Sequence, residues 1–457
     1  MKVLHVLANS PPDINGYAVR TQMLLQYQNE IDGIKNLGLT SPWYPDRDSM
    51  VDDHEKNGVG YLRTLHPSRK NNSKISHKLI DIFTPKSKVQ KSFKKKKSKK
   101  KFIIIRLFNF IYLTLVKIPQ IGWKVIEEKI LIKYFTKRII EVAKQHNVDI
   151  IHAHTPYRVG LPALKAARRL NLPFVYEMRG MWEETAVANG RWRRNGPAYL
   201  RFQNFENKVL TKADSVICIS ETLKKEAISR GVDPSKITVV TNAVERNMLE
   251  NKTESSALKS AVKALNCTKS TKVVGYIGSL REMEGVDFTA LGVSKLIEKG
   301  HDVRLFVLSG TSGQSQLQDY CEGLGIGDKS VIMGPVPHEE VARFYDLIDI
   351  FVVSRPDSKV TRLVTPLKPF EAMLMGKVIV ATNLPAIAEI LQHQETGLLF
   401  EPGNIESLVS SLENCLEDHA RSEELGKAAQ KWVLENRTWE SVVKNTLNAY
   451  SIAKQNQ

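Results

Sequence analysis

The sequence has little cysteine, and none of it is spaced for a metal site or a redox pair. Four cysteines are scattered over 457 residues: Cys218, Cys267, Cys321 and Cys415. This spacing argues against a zinc site or a disulfide framework and fits a reducing compartment. The N-terminus also lacks the long apolar region and cleavage site of a signal peptide, so Met1–Leu7 is predicted to be a buried strand. We therefore expect a cytoplasmic protein.

Several nucleotide-binding and hydrolytic motifs are absent as well. No GxGxxG run follows a predicted strand, which argues against NAD, and nothing resembles a P-loop or a Ser–His–Asp triad. Asp46-Arg-Asp48 has the spacing of a metal-binding DxD motif. It lies, however, in a loop rich in proline and aspartate, with an arginine between the carboxylates. We expect neither a metal ion nor a cofactor.

The sequence does contain a regular alternation of short apolar runs and amphipathic segments. Val3–Leu7, Ile150–Ala153 and Val378–Ala381 are typical of buried strands, and Leu161–Leu170 is typical of an intervening helix. Such alternation favours an α/β fold with parallel sheets joined by right-handed crossovers. Because 457 residues are too many for one core, we expect two domains of about 200 residues each.

The net charge of +17 is concentrated in one part of the chain. Residues 82–126 contain 13 lysines and arginines and no acid. Without them the remaining chain carries only +4. The basicity is therefore attributed to an insertion at about 67–135, and we expect no nucleic-acid partner.

Lys94–Lys101 in this insertion precedes the largely apolar Phe102–Ile118. Seventeen residues with an internal Arg106 are marginal for a membrane span. On a helix, Arg106 and Lys117 would share one stripe, which favours an amphipathic helix lying in the plane of an anionic membrane surface. The alternative is a solvated lysine loop followed by a core helix.

Glu371 occupies the most informative position in the sequence. The segment Thr365–Gly376 lies between two strand-like runs, with Thr365 as a possible helix cap and Gly376 as a left-handed end. Lys368 and Glu371 would then lie near a helix N-terminus at the C-terminal edge of a parallel sheet. Such an edge binds ligands in doubly wound sheets, and the helix end attracts phosphate. The alternative is a glutamate that merely stabilises the helix dipole.

Two motifs in the N-terminal half have similar placement at strand ends. Gly16 follows the first predicted strand and would let the backbone approach a diphosphate or an acceptor closely. His152 and His154 end a later strand and are expected on opposite faces of the sheet, with His154 favoured for the site. The alternatives are a plain turn glycine and buried core histidines.

A third motif, Tyr176–Glu184, combines charge with an aromatic ring. Trp182 is suited to stacking on a sugar ring, whereas Glu177 and Arg179 are suited to binding hydroxyl or anionic groups. We predict an acceptor-side role for these residues. An internal ion pair between Glu177 and Arg179 is the alternative.

Taken in order, these motifs resemble those of the retaining glycosyltransferases of family 4, in particular a branch found in bacterial exopolysaccharide gene clusters. The resemblance covers nearly the whole chain except the insertion. Its further motifs are Asn15–Thr21, Ile151–His154, Ile219–Glu221, Val240–Val244, Gly275–Leu280, Glu284–Asp287 and Glu395–Phe400.

The resemblance implies the GT-B fold, in which two Rossmann-like parallel-sheet domains face each other across a cleft. The expected ranges are an acceptor-side domain at 1–245, a connection at 246–271, a donor domain at 272–435 and a helix at 436–457 that returns to the first domain. The implied reaction is hexosyl transfer with retention, without a metal ion. The donor would be a nucleotide-diphosphate sugar and the acceptor a lipid-linked or polysaccharide glycan.

The same resemblance suggests roles for individual residues. Glu371 and His154 are the predicted catalytic residues, with His152 on the acceptor side. The predicted donor-binding residues are Gly16, Arg281, Arg355, Lys368 and Glu371. Ser279 and Glu284 replace the two cations with which many relatives hold the diphosphate, and Leu363 replaces the upstream glutamate of a pair. That role is therefore assigned to Arg281, Arg355, Lys368 or a combination.

Two competing functions stay open on the sequence. One is a sugar-nucleotide epimerase of the same fold, which would need no acceptor. The other is an inactive protein that binds a membrane or nucleic acid through its lysines. Of the three, we favour the transferase, attached peripherally to the inner face of the cytoplasmic membrane.

Overall fold

A computed structural model describes residues 1–13, 15–44, 54–67, 118–250 and 255–457. Asp46, Asp48, Lys94–Lys101 and residues 102–117 lie outside the described residues, and with them nearly all of the predicted membrane-contacting segments. Within the described ranges, no helix has the length and apolar character needed to cross a membrane.

The first domain is built on an eight-stranded sheet in the order β3-β4-β2-β1-β5-β6-β7-β8. Neighbouring strands are parallel except for β3 and β4, which are antiparallel. The strands are β1 (Lys2–Leu7), β2 (Lys35–Thr40), β3 (His54–Lys56), β4 (Val59–Arg63), β5 (Ile150–His154), β6 (Phe174–Met178), β7 (Ser215–Cys218) and β8 (Ile237–Val239).

Helices cover both faces of this sheet. They are α1 (Gly16–Asn29), α2 (Ile118–His146), α3 (Tyr157–Leu170), α4 (Trp182–Ala188), α5 (Pro197–Lys212) and α6 (Glu221–Ser229). Because successive strand residues point to opposite faces, Leu4 and Val6 join the core under α2, α3 and α5, whereas Val3 joins the core under α1. The interior is therefore apolar on both sides of the sheet, as a parallel sheet requires.

The second domain has a six-stranded, all-parallel sheet in the order β11-β10-β9-β12-β13-β14. Its strands are β9 (Lys272–Ile277), β10 (Val303–Leu308), β11 (Ser330–Met333), β12 (Ile350–Val353), β13 (Val378–Thr382) and β14 (Leu398–Phe400). Its helices are α7 (Ser256–Leu265), α8 (Val286–Glu298), α9 (Gln314–Gly323), α10 (Val341–Phe344), α11 (Lys359–Leu363), α12 (Lys368–Leu374), α13 (Pro385–Ala388), α14 (Ile405–Glu417) and α15 (His419–Asn436).

The end of the chain returns to the first domain. Helices α16 (Trp439–Val442) and α17 (Asn445–Gln455) complete the core under α1 with Trp439 and Tyr450. The return runs beside the outward path: the amide of Val244 donates to Arg437 O at 2.9 Å, and the amide of Trp439 donates to Val244 O at 3.2 Å. The chain therefore crosses between the domains twice at one place.

Two local expectations differ from the structure. Helix α2 begins at Ile118, inside the range 67–135 predicted as an insertion, and its Leu131 and Phe135 are buried in the first core. The last part of that range is thus a core helix. Helix α12 begins at Lys368 after Leu367, so Thr365 is not its cap. The Thr365 carbonyl instead accepts a hydrogen bond from Asn242 Nδ2 at 3.2 Å.

Candidate functional site

Glu371 lies in the first turn of α12, at the C-terminal edge of the second sheet. Lys368 Nζ is 2.9 Å from both carboxylate oxygens. Tyr345 donates its hydroxyl hydrogen to Glu371 Oε2 at 2.9 Å. Tyr345 is buried, and burial together with the charge of Glu371 holds the pKa of Tyr345 well above its ordinary value. The Glu371 carboxylate is therefore fixed by an ammonium and a neutral phenol.

The loop after β9 contains a different charge arrangement. Arg355 donates from Nε and Nη2 to the two oxygens of Glu284 at 3.0 and 3.2 Å, and from Nη1 to Val364 O at 2.9 Å. Burial alone would raise the pKa of Glu284, but the charges and hydrogen bonds of Arg355 and Arg281 lower it. Arg355 thus connects the loop after β9 to the segment that leads into α12.

Arg281 is the accessible cation of this loop. Its side chain is 52% exposed, and it donates from Nη2 to Glu284 at 3.0 Å and from Nε to Ser279 Oγ at 3.2 Å. Among the described residues, Nη1 of Arg281 has no partner. Of the two arginines predicted to bind a diphosphate, Arg355 is committed to internal contacts, whereas Arg281 keeps donors for a ligand.

The first domain approaches α12 at Gly16, the first residue of α1. A Cβ added at Gly16 would lie 3.3 Å from Leu367 Cδ1, so a larger residue would crowd this contact. The side chain of Asn15 caps α1 by accepting from the amides of Tyr17 and Ala18. The two helix N-termini therefore meet where the domains face each other.

A second cluster of charged and titratable groups lies within the first domain. His152 and His154 lie on the same face of β5 with ring centroids 4.4 Å apart, so the expectation of opposite faces is wrong. Residues i and i+2 of a strand share a face. His5 is the register partner of His152 in β1, and its ring centroid lies 5.2 Å from that of His154. All three imidazoles are buried.

Glu177 is the charge centre of this cluster. Arg20 contacts Glu177 Oε1 at 2.8 Å and Arg179 contacts it at 3.1 Å. Burial would raise the pKa of Glu177, but the charges of Arg179 and Arg20 hold it well below the ordinary range. Glu177 and Arg179 therefore form the internal ion pair that the sequence left as an alternative.

The donors of both arginines are used within the protein. Arg20 also donates to the carbonyls of Val240 and Thr241 and to Asn242 Oδ1. Arg179 also donates to Tyr17 O, to Thr21 Oγ1 and to His154 Nδ1. The acceptor-binding role of Arg179 and Glu177 stays a prediction, and it requires a ligand to replace one of these bonds.

Hydrogen-bond directions assign the tautomers of the imidazoles. Asn36 Nδ2 donates to Leu25 O, so Asn36 Oδ1 accepts from His5, and His5 Nδ1 accepts from His154 Nε2–H at 3.0 Å. His154 Nδ1 then accepts from Arg179, although Glu177 Oε2 also lies 2.9 Å from it. His5 Nε2 then donates to Asn36 Oδ1 at 3.2 Å. Burial is the main cause that lowers the pKa of His5 and His154 well below the usual range, and it also lowers that of His152. The cluster therefore holds three neutral imidazoles beside one carboxylate.

The geometry of the three imidazoles does not suit a metal ion. Their ligand atoms lie within 4.8 Å of one another, a spacing that a cation could use. However, the bond between His5 and His154 occupies two of the nitrogens, and the guanidiniums of Arg20 and Arg179 lie against the Glu177 carboxylate. A cation here would be repelled rather than held.

Trp182 is exposed to solvent, unlike the residues that were predicted to act with it. It is the first residue of α4 and is 43% exposed, whereas Glu177, Arg179 and both histidines are buried. An exposed indole is available for stacking on a sugar. The structure thus brings together Glu177, Arg179, His152 and His154, and it leaves Trp182 at the surface.

The sequence did not identify the residues that join the two domains. The Glu389 carboxylate accepts from the amides of Glu221 and Thr222 at the start of α6, at 3.0 and 2.5 Å. Leu363, which replaces a glutamate of many relatives, packs against the first core, and its carbonyl accepts from the Thr222 hydroxyl at 3.1 Å. Lys359 adds an ion pair with Glu226 at 3.1 Å. No local sequence pattern marks contacts of this kind.

Family models match two ranges of the chain. Residues 91–247 match "Glycosyltransferase Family 4", and residues 260–432 match "Glycosyl transferases group 1". Both domains of the chain thus match glycosyltransferase families. Both matches fall on domains with the sheets described above, and the resemblance seen in the sequence is confirmed.

Similar curated proteins are distant relatives. An uncharacterized glycosyltransferase of Methanocaldococcus jannaschii is 24% identical over 52% of this chain and 60% of its own length. The alpha-monoglucosyldiacylglycerol synthase of Streptococcus pneumoniae is 20% identical over 63% of each chain. The capsular polysaccharide glycosyltransferase CapM of Staphylococcus aureus is 22% identical over 62% of this chain and 71% of its own. The alignment thus spans about three fifths of the first two relatives.

Solved structures share the whole fold. Sucrose-phosphate synthase from Thermosynechococcus elongatus superposes with a TM-score of 0.69 at 15% identity, covering 98% of both chains. A glycosyltransferase from Rickettsia africae gives 0.66 at 16% identity, over 100% of this chain and 99% of its own. Anabaena HepE, in complex with UDP and glucose, gives 0.65 at 15% identity over 99% of both. The predicted GT-B fold is confirmed.

Proposed function

We propose that this glycosyltransferase uses a nucleotide-diphosphate sugar and transfers its hexosyl group, with retention, to a lipid-linked or polysaccharide acceptor in bacterial cell-surface or exopolysaccharide synthesis. The observation that carries the proposal is the Glu371 carboxylate. Lys368 and Tyr345 hold it at a helix N-terminus, and α12 faces Gly16 of the other domain. A carboxylate held in this way suits sugar hydroxyls, and the helix end suits phosphate.

The donor diphosphate is assigned to Arg281, Lys368 and the N-terminus of α12. Arg281 is exposed with unused donors, whereas Arg355 is committed to Glu284 and Val364. HepE, which shares the fold, has been crystallised with UDP-glucose, and this supports a nucleotide-diphosphate sugar as the donor class. Gly16 lets the N-terminus of α1 approach Leu367 beside this site.

The proposed reaction is a front-face displacement. The bond between the anomeric carbon and the diphosphate oxygen breaks, and a bond to the acceptor oxygen forms on the same face of the sugar. The acceptor proton passes to the departing diphosphate oxygen, so no separate protein base is needed. The protein stabilises the developing negative charge and aligns the two substrates. His154 would act by holding Arg179, which donates to its Nδ1.

The proposed acceptor is carried at a membrane. Among the relatives, one synthesises a glucosyldiacylglycerol and another acts in capsule synthesis, by their names. In this chain, Lys94–Lys101 and Phe102–Ile118 provide a polybasic run next to an apolar run, the two signals that peripheral attachment requires. We place the enzyme on the inner face of the cytoplasmic membrane.

A product assay tests the function. The purified chain is incubated with a panel of UDP-, GDP- and ADP-sugars and membrane lipids from a bacterium, and products are separated and examined by NMR. A new glycoside whose anomeric configuration matches that of the donor supports the proposal. An isomerised sugar nucleotide without a glycoside would indicate an epimerase, and an inverted glycoside would exclude the front-face reaction.

A further inference from the structure

The outer face of α2 has an unusual composition at its start. Trp123, Ile126 and Ile130 are 66%, 51% and 56% exposed. Their spacing of three and four residues places them on one stripe of the helix. The next exposed residues along the same side are Lys133 and Lys137. A helix of a soluble domain normally buries its apolar residues. Helix α2 buries one apolar stripe, with Phe135, in the core, and it carries this second, shorter stripe on its outer side.

The neighbouring helices α3 and α5 form two adjoining grooves on their outer side. One, of about 450 Å³, is lined by Arg201, Asn204, Phe205 and Lys208. The other, of about 400 Å³, contains Leu161 and Leu164 and is bordered by Lys165, Arg169, Lys208 and Lys212. Both therefore combine an apolar floor with a cationic rim, and none of the described residues that line them is acidic.

The cations of these grooves crowd one another. Lys165 and Arg169 are four residues apart on α3, a helix without a single acid, and such like-charge pairs destabilise a helix. Burial, and then the charges of Lys208 and Arg169, lower the pKa of Lys165. In the part of the chain that the structure describes, Lys165, Arg169 and Lys208 have no ion-pair partner. Arg169 lies in the last turn of α3, where the helix dipole favours a cation, whereas Lys165 lies before the last turn of α3 and Lys208 before that of α5.

A buried ion-pair hub joins α2 to the two helices that form the grooves. Glu128 of α2 accepts from Arg158 of α3 at 2.8 Å and also pairs with Arg201 of α5, which lines the larger groove. Lys208 lines both grooves. The three helices pack over the same core, and the stripe and the grooves both lie on the side of this layer that faces away from it. We call this outer side the α2–α3–α5 face; it carries Trp123, Ile126, Ile130, Lys165, Arg169 and Lys208.

We propose that the α2–α3–α5 face docks on an anionic phospholipid surface. The apolar stripe would insert among the acyl chains, and the unpaired cations would bind lipid phosphates. The inference rests on the proposed function at a membrane. It adds a second contact, built into the folded domain and separate from Lys94–Lys101.

Charge and apolar character together favour this occupant. A second copy of a chain with net charge +17 would be repelled by unpaired cations. A nucleic acid would satisfy the cations, but it offers no apolar partner for Ile126 and Ile130. An anionic bilayer provides both phosphates and hydrocarbon within a few ångströms of depth.

Vesicle co-sedimentation of the full chain is the test. The probe is phosphatidylcholine vesicles with and without phosphatidylglycerol. Each cation near an anionic surface contributes roughly fivefold to affinity, so the combined Lys165→Gln, Arg169→Gln and Lys208→Gln variant should bind on the order of a hundredfold more weakly. The matched control removes three exposed lysines elsewhere, with Lys35→Gln, Lys444→Gln and Lys454→Gln, and should change binding little.

Fluorescence tests the apolar stripe separately. Vesicles with brominated acyl chains should quench tryptophan emission of the wild-type chain, and Trp123→Phe should remove most of that quenching although five other tryptophans are present. Ile126→Ser with Ile130→Ser should weaken binding even at low salt. Transfer to a water-soluble acceptor, measured on the same variants, should persist.

Four outcomes would overturn the proposal. The first is that the groove variant and the control variant both bind vesicles as tightly as the wild type. The face would then be an ordinary solvated surface. Failure of the wild-type chain to bind anionic vesicles at low salt is the second. Full competition by free glycerol phosphate would indicate a small-anion site, and loss of a dimer in the variants, seen by sedimentation velocity, would indicate a second copy. If the wild-type chain transfers no sugar to a soluble acceptor, that result would instead contradict the proposed function.

Discussion

The two domains use charge in opposite ways where they face each other. In the first domain, Glu177 is buried with Arg20 and Arg179, whose donors all end on protein atoms. In the second, Arg281 is half exposed and Lys368 is partly exposed beside Glu371. A satisfied buried network fixes a shape, whereas accessible cations can bind a substrate. We therefore expect changes in the first cluster to affect folding and changes in the second to affect turnover.

Removing the buried carboxylate should have the largest effect. Glu177→Gln leaves two guanidiniums in the interior without a countercharge, which should lower the free energy of unfolding by about 3–5 kcal/mol. Urea unfolding followed by circular dichroism measures it, with Glu141→Gln on the surface of α2 as the control. A stable variant with a raised acceptor KM would break the comparison, because the cluster would then be a binding site.

The next largest effect is expected on turnover, when Glu371 or Lys368 of the second domain is changed. Glu371→Gln and Lys368→Ala should each lower kcat by roughly a hundredfold to a thousandfold, because both groups act where charge develops. Unfolding midpoints should stay close to that of the wild type. Steady-state transfer assays with the exposed Glu395→Gln as control provide the measurement. Full turnover in both variants would remove α12 from the donor site.

The pH dependence of the free energy of unfolding should reveal the buried carboxyl of Glu206. Burial, reinforced by Glu183, raises the pKa of Glu206 to about 7 even though the Tyr176 hydroxyl bonds to it. The unfolded chain releases this proton first, so stability should fall as pH rises from about 4.5 to 7, by roughly 3 kcal/mol in total. Denaturation at a series of pH values should show a flatter profile for Glu206→Gln. An unchanged profile would contradict the assignment.

Arg281, in the loop after β9, and Arg355, just after β12, sharpen the comparison within one domain. Arg281→Ala should weaken donor binding by about tenfold with little change in stability, since a charge-assisted hydrogen bond contributes about 1.5 kcal/mol. Arg355→Ala should instead destabilise the fold, because it leaves Glu284 buried. Calorimetric titration with UDP, alongside thermal unfolding, separates the two effects. Equal donor affinity in Arg281→Ala and the wild type would exclude Arg281.

The smallest effect is expected at Tyr345. Tyr345→Phe removes one hydrogen bond to Glu371 and should lower kcat by roughly fivefold, with donor KM nearly unchanged. A purely structural role would instead lower the unfolding midpoint and leave kcat intact. Comparing kcat, KM and unfolding in Tyr345→Phe and in the exposed Tyr320→Phe distinguishes the two.

Local patterns were enough for most strands of the two sheets and for the C-terminal end of α12, although not for its cap. The run Val378–Ala381 and the glycine at 376, which has φ +67°, are local signals, and the structure follows them. The hairpin of β3 and β4 was also within reach, because Asn57-Gly58 is a strong turn signal, yet it was missed. The shared face of His152 and His154 could also have been predicted from the strand period alone, but opposite faces were expected.

Partners that come from distant parts of the chain could not be predicted in this way. His5 meets His152 only because β1 pairs with β5, and Tyr345 reaches Glu371 only through the packing of the loop before β12. The internal commitment of Arg355 depends on Glu284, 71 residues away. The outward stripe of α2 is equally a property of the assembled domain, since sequence periodicity does not tell which face the core covers.

The paired crossing at Val244 and Trp439 constrains how the domains move. Two covalent connections, hydrogen-bonded to each other at one point, do not allow the domains to separate or slide freely. Rotation about that point is the degree of freedom that leaves both connections intact. The contacts of Glu389 and Lys359 with α6 lie off this pivot, so they bear on the opening angle. Substrate entry and product release would then follow rotations about this pivot rather than sliding of one domain along the other.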